Sequence, residues 1–242
     1  MFGNEIFSGL TAIPPIFVRI DGRAFHALTG GEGYKKPFDE GFMESMSSVA
    51  SLLISESGLE PVFAYTFSDE INLYFKTLPF GGRVEKIDSV CASYAAGAFV
   101  TVSGIKKPVS FDSRIVFMTG ADASGYLEWR QREAWRNHIN AYCQQALISE
   151  GMSSRKAAGA LKGMKSSDMH EMMFERGVNL SKTPSWQRRG VIVRREAYTK
   201  TGYNPVENKE VLTQRSKVTK DYDPPLFHTD EGKAYISKII ED

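Results

Sequence analysis

Two acidic segments lie where the chain should turn. Asp21-Gly22 closes the β-rich run Ile16-Phe17-Val18-Arg19-Ile20, and Ser68-Asp69-Glu70 joins the runs 62–67 and 71–75. Three carboxylates gathered on one sheet edge repel each other unless a cation sits among them. Such hard oxygen ligands suit Mg²⁺, which takes one or two carboxylates and completes its shell with phosphate and water. Two such ions could orient an attacking oxygen and a leaving pyrophosphate. Gly22 lets backbone approach closely and offers its carbonyl as a ligand. Arg23, Lys36 and Lys86 are candidate counter-charges for a triphosphate. Lys86 falls near the start of a helix, where main-chain amides favour anions. Each segment also has a plainer reading. Asp-Gly after a strand is often only a turn, and Asp69-Glu70 could be a solvated hairpin tip. His26 reads more readily as a core or turn histidine than as an acid–base group, and the four histidines show no metal spacing.

The elements around these segments decide whether they meet. Phe42, Met46, Val49 and Leu53 step with a helical period, with Asp39 as N-cap and Gly58 as stop. Ile71, Leu73 and Phe75 alternate with Asn72 and Tyr74, the pattern of a half-buried strand. A second helical face runs from Val84 to Val102, and a strand from Ser113 to Met118. The order is β-α-β-β-α-β, an α+β, ferredoxin-like arrangement. Many polymerase and cyclase palms share it, which is fold-level analogy only. In such a unit the first two strands run parallel through a right-handed crossover. Asp21 and Asp69-Glu70 should therefore converge.

Beyond a palm-like core at 1–120, residues 121–242 read as a helical extension and a C-terminal β-hairpin packed on that core. Helices are expected at 126–149, 153–161 and 167–176. The hairpin is expected from Val191–Tyr198, a turn at Gly202–Pro205, and Val211–Val218. Between Ser181 and Lys220 there are ten Lys and Arg against three Glu. Arg188, Arg189 and Arg215 are thus candidates for phosphate-backbone contacts, unless the hairpin merely carries a charged face. Trp129, Trp135 and Trp186 could stack bases or pack in the core.

Composition narrows the class without naming a partner. The chain has 242 residues, 42% of them hydrophobic, and a formal net charge of +1, which excludes a disordered tail or a fibre. Its two cysteines form no CxxC pair, so neither a disulfide framework nor a zinc site is supported. No run of about 18 apolar residues occurs, and no basic-then-apolar leader opens the chain. The expectation is a cytoplasmic protein with no membrane partner.

Several motifs in register resemble the tRNA-histidine guanylyltransferase family. They are Val18-Arg19-Ile20-Asp21-Gly22-Arg23-Ala24-Phe25-His26, Lys36-Pro37-Phe38-Asp39, Tyr65-Thr66-Phe67-Ser68-Asp69-Glu70, Phe111-Asp112-Ser113-Arg114-Ile115-Val116 and Tyr126-Leu127-Glu128-Trp129-Arg130-Gln131. Leu161-Lys162-Gly163, Asp168 with Glu171, and Arg188-Arg189-Gly190 follow in order. The resemblance implies nucleotide addition to the 5′ end of tRNA in the 3′-to-5′ direction, using GTP. A 5′-monophosphate end is first activated by ATP, whereas a 5′-triphosphate needs no activation. It implies two Mg²⁺ ions held by Asp21, the Gly22 carbonyl and Asp69, with Glu70 a third essential carboxylate. The triphosphate would lie along Asp21, Gly22, Arg23, Ala24, Phe25 and His26 and against Ser68-Asp69. Lys36, Asp39 and Lys86 would handle the nucleotide, Arg130, Arg136 and Asn137 would join the RNA contacts, and the chain would form a homotetramer, a dimer of dimers. Eukaryotic members carry His-Ile-Asn where this chain has Trp135-Arg136-Asn137, and a lysine where it has Met169. These departures resemble the archaeal and bacterial guanylyltransferase-like branch, which adds nucleotides opposite a template. Dedicated guanylate addition to histidine tRNA, a palm-type cyclase and a non-catalytic RNA-binding module are the alternatives.

Overall fold

In the computed structural model, residues 6–118, 122–204 and 208–241 are described. The strands are β1 (Ile16–Gly22), β2 (Phe63–Phe67), β3 (Glu70–Phe75), β4 (Phe111–Phe117), β5 (Val191–Asn204) and β6 (Lys209–Asp221). The helices are α1 (Phe25–Gly31), α2 (Glu40–Ser55), α3 (Val84–Ser103), α4 (Asp122–Ser149), α5 (Ser154–Leu161), α6 (Ser166–Glu175), α7 (Ser185–Arg189) and α8 (Asp230–Glu241). The sheet order is β4-β1-β3-β2-β5-β6, with every neighbouring pair antiparallel. The first four strands thus have the split βαβ order, and β1 and β2 run parallel on either side of β3.

Strand alternation gives the sheet two working faces. Ile16, Val18, Ile20, Ile71, Leu73 and Phe75 bury against Val49 and Leu53 of α2 and Ile87, Cys91 and Phe99 of α3. On the other face Phe17, Phe63, Tyr65 and Tyr74 pack under Tyr126 and Leu127 of α4 and Ile236 and Ile239 of α8. Burial of both faces corrects the expectation of a half-buried third strand, since every residue of β3 is buried. A third cluster joins the C-terminal half of α4 to α5 and α6 through Ile139, Cys143, Leu147, Ala157, Leu161, Met169 and Met173.

Local chemistry sets the ends. Asp39 caps α2, its Oδ1 accepting from the Phe42 amide at 2.9 Å. Gly104 closes α3 in the left-handed region, at φ 71. Three helices were not expected from the sequence. α1 starts after a left-handed Ala24 (φ 60), α7 is five residues long, and α8 follows the hairpin. The hairpin is also longer than expected. Gly202, Tyr203 and Asn204 continue β5 rather than turn, and Pro205 lies outside the described residues.

Candidate active site

The register aligns Asp21 with Glu70 of β3 on one side and Asp112 of β4 on the other. Directly opposed residues share a face, so three carboxylates stand in one row across three strands. Asp69 is held beside them by the two-residue turn, where Ser68 takes a left-handed φ of 50. The Gly22 amide donates to the Asp69 carbonyl at 3.1 Å and ties that turn to the end of β1. A Cβ on Gly22 would lie 2.6 Å from the Phe25 ring and 3.0 Å from the Asp69 Cβ. Only glycine lets the two segments approach this closely.

The electrostatics match a site built for a cation. Burial first, and then the Asp112 charge, raise the pKa of Asp21, while Arg114, Arg19 and Arg130 pull it down. Burial, reinforced by the Asp21 charge, pushes Asp69 up to about 6. A divalent cation between the two would relieve this repulsion. Two carboxylates with a main-chain carbonyl fit Mg²⁺, which keeps several positions for phosphate and water. Among the described residues no group of three or more His, Cys, Asp or Glu could hold a metal by itself.

Glu70 does not supply a third free carboxylate. Arg130 Nε donates to its Oε1 at 2.8 Å and Arg130 Nη2 to its Oε2 at 2.5 Å. The two side chains are only 7% and 8% exposed. Asn72 Nδ2 adds a bond to Oε1 at 2.8 Å, and Tyr126 OH donates to Asn72 Oδ1 at 2.6 Å. This corrects the expectation for Arg130, which is buried against the sheet and leaves no face for RNA.

Beside Asp69 a cleft of about 340 Å³ opens between the β2–β3 turn, the segment 25–46, α4 and α7. His26, Lys36, Asp39, Ser68 and Asp69 all line it, as does Asn137 of α4. Lys36 Nζ donates to Thr29 Oγ1 at 2.7 Å, and that hydroxyl donates to the His26 carbonyl at 3.1 Å. Burial holds the Lys36 pKa below its ordinary value. Both Asp39 oxygens are engaged by backbone, Oδ1 by Phe42 N and Oδ2 by Lys35 N. Burial works against ionisation of Asp39, but these amide bonds prevail and keep its pKa low. Phe38 and Trp186 form an apolar wall in edge contact at 5.9 Å. Asn140 and Gln144 also line the cleft, one and two turns beyond Asn137. Sequence reasoning missed both, although the spacing 137, 140, 144 marks one helix face.

Other expected residues lie elsewhere. Arg23 and Ala24 line a separate shallow groove with Lys107 and Ser110. Lys86, in the first turn of α3, does not line the cleft, and its Nζ lies over the Phe80 ring, 5.0 Å from the centroid. Arg136 is exposed on α4 and pairs with Glu133 at 2.6 Å. Arg188 donates to the Thr183 carbonyl and Arg189 to that of Pro224. Arg215 stands exposed on the hairpin. No helix among the described residues is long and apolar enough to cross a membrane.

Comparison with known proteins identifies the family. The family model described as tRNAHis guanylyltransferase matches residues 5–119, and that of the Thg1 C-terminal domain matches residues 122–230. A probable tRNA(His) guanylyltransferase of Dictyostelium discoideum is 31% identical over 214 residues, covering 84% of this chain and 81% of that protein. The probable mouse (Mus musculus) enzyme is 30% identical over 191 residues, covering 74% and 63%. A solved bacterial tRNA(His) guanylyltransferase (Thg1)-like protein in complex with ATP is 26% identical with a TM-score of 0.76, covering 97% of this chain and 93% of that one. The fold also matches the tRNA(His) guanylyltransferase of Saccharomyces cerevisiae, at 24% identity and a TM-score of 0.67, over 84% and 91%. With its carboxylate-lined strand ends and its cleft, this chain belongs to the tRNAHis guanylyltransferase family and is a nucleotidyltransferase.

Proposed function

We propose that this enzyme adds nucleotides to the 5′ end of tRNA in the 3′-to-5′ direction, opposite a template, as a cytoplasmic homotetramer. GTP is the incoming nucleotide, and ATP activates a 5′-monophosphate end. The observation that carries the reading is the meeting of Asp21 and Gly22 with Asp69, which lines a cleft together with His26, Lys36 and Ser68. The ATP complex of the bacterial relative supports nucleotide binding by this chain. The tryptophan, arginine and asparagine at 135–137 favour the template-reading branch.

In the transfer step the GTP 3′-oxygen forms a bond to the 5′ α-phosphorus. The bond to AMP or pyrophosphate breaks, and the hydroxyl proton leaves to water. Asp21, Asp69 and the Gly22 carbonyl would hold two Mg²⁺ ions, which stabilise charge on the attacking and leaving oxygens. Lys36, fixed by Thr29, presents its ammonium to phosphate. Phe38 and Trp186 shield the base from water. Asn137, Asn140 and Gln144 offer amides that both donate and accept hydrogen bonds.

The test uses two labelled 5′-monophosphate tRNAs with Mg²⁺, ATP and GTP. One is histidine tRNA lacking its extra guanylate, and the other is a different tRNA missing its first nucleotide. Template-matched extension of the truncated tRNA is expected. Extension of histidine tRNA alone would mean dedicated guanylate addition. A cyclic nucleotide from GTP without RNA would sink the reading. Asp69→Ala should abolish addition while RNA binding persists, and normal extension by this variant would refute the metal assignment.

A further inference from the structure

The helical extension carries a block of cations that the rest of the fold does not neutralise. From 151 to 167 there are four basic residues, Arg155, Lys156, Lys162 and Lys165, and no acid. All four are exposed, and among the described residues none makes an ion pair. Their neighbours differ. Arg132 pairs with Glu128 at 3.0 Å, Arg136 with Glu133 at 2.6 Å and Arg176 with Glu150 at 2.6 Å. The next acid, Asp168, opens α6 and accepts from the Ser167 hydroxyl at 3.0 Å.

The placement is as specific as the charge. α5 buries only Ala157 and Leu161. Arg155 and Lys162 are seven residues apart, two turns along the opposite, outward face, about 10 Å from one another. Exposed Ala158, Gly159 and Ala160 leave the surface between them low, so a backbone can come close. α5 also starts at the rim of the nucleotide cleft, where Gln144, a cleft residue, donates to Ser154 Oγ at 3.3 Å. An RNA whose 5′ end enters the cleft must leave it over a rim. Four unpaired cations beside that rim suit a phosphate backbone, because neutralising phosphates releases condensed counterions.

We infer that Arg155, Lys156, Lys162 and Lys165 form a docking surface for the RNA phosphate backbone, separate from the hairpin. The inference rests on the RNA-extending reading above. The test measures binding of the 5′-truncated tRNA to wild type, Arg155→Ala/Lys162→Ala, Lys156→Ala/Lys165→Ala and Arg132→Ala between about 50 and 200 mM salt. Each phosphate contact contributes about 0.9 to the slope of log affinity against log salt. Each double variant should therefore bind more weakly, with a slope shallower by about 2. Arg132→Ala, which removes an already paired cation, should keep the wild-type slope. Unchanged slopes in both double variants, with a wild type that binds and extends the same tRNA, would overturn the inference and leave the enzymatic reading intact. A wild type that neither binds nor extends the tRNA would overturn both. An equal fall in slope for Arg132→Ala would also overturn the inference, since the effect would then be one of total charge.

Discussion

Glu70 and Asp21 are neighbours in the register, but their surroundings separate their roles. Asp21 stays partly exposed, while Glu70 is enclosed by Arg130 and Asn72. Removing one partner of a buried ion pair leaves an uncompensated charge and costs about 3–5 kcal/mol. Glu70→Gln, which keeps the shape and some hydrogen bonding, should lose about 2–4 kcal/mol in urea denaturation. Glu70→Gln/Arg130→Met should regain most of it. If the recovered double variant extends tRNA, Glu70 acts through packing. If it is stable and inactive, the carboxylate itself is required. Gly22 allows a sharper test. An added methyl would meet the Phe25 ring at 2.6 Å, so Gly22→Ala should cost about 1–3 kcal/mol. Extension should fall at least tenfold, because the same methyl presses on Asp69.

At the scale of elements, α4 is the spine that links sheet, cleft and extension, and His138 is its buried polar centre. His138 Nε2 lies 2.8 Å from Thr183 Oγ1, whose hydroxyl already donates to the Leu180 carbonyl at 2.8 Å. The ring nitrogen must therefore be the donor, which leaves the buried Nδ1 unpaired. Trp135 stacks on the ring at 5.2 Å and Phe38 at 5.6 Å. Burial, then Arg188 and His170, lower its pKa to about 3. The folded pKa is depressed, so the contribution is complete above the unfolded value of about 6.5 and is lost as pH falls towards 3. Wild type should lose about 1 kcal/mol per pH unit from this group below pH 6. His138→Phe should keep the stack, start about 1 kcal/mol lower at pH 7.5, and show a flatter pH profile by thermal melts. Such dependencies explain what the sequence disclosed. The strands, α2, α3 and the convergence of Asp21 with Asp69 were legible, because they follow from periodicity and the handedness of one crossover. The contact of Lys86 with the Phe80 ring was not legible, because a helix start was identified without tracing what its first turn meets. The fate of Glu70 depended on a partner 60 residues away, and α1 on a left-handed alanine. Neither has a local signal.

The whole molecule is one sheet with a long arm. Only Val191–Arg194 of β5 pair with β2, and the rest of the hairpin is a two-stranded ribbon. Such ribbons add little stability on their own. Replacing residues 198–215 with a short turn should shift the melting temperature by less than about 4 °C. It should weaken RNA binding through loss of Lys200 and Arg215, and a large drop in melting temperature would show that the arm is part of the core. The two packed faces of the sheet have a different consequence, during synthesis. The α2 and α3 face is complete, apart from Val191 and Val193 of β5, once β4 has emerged. The face bearing Phe17, Phe63, Tyr65 and Tyr74 waits for α4, and then for Phe227 and Ile236. Those last residues follow β4 by more than 100 positions, roughly 5–20 s of translation. For that interval the nascent chain presents a row of aromatic side chains that α4 covers only in part, and the ribosome-bound half-protein should engage chaperones before it is an enzyme.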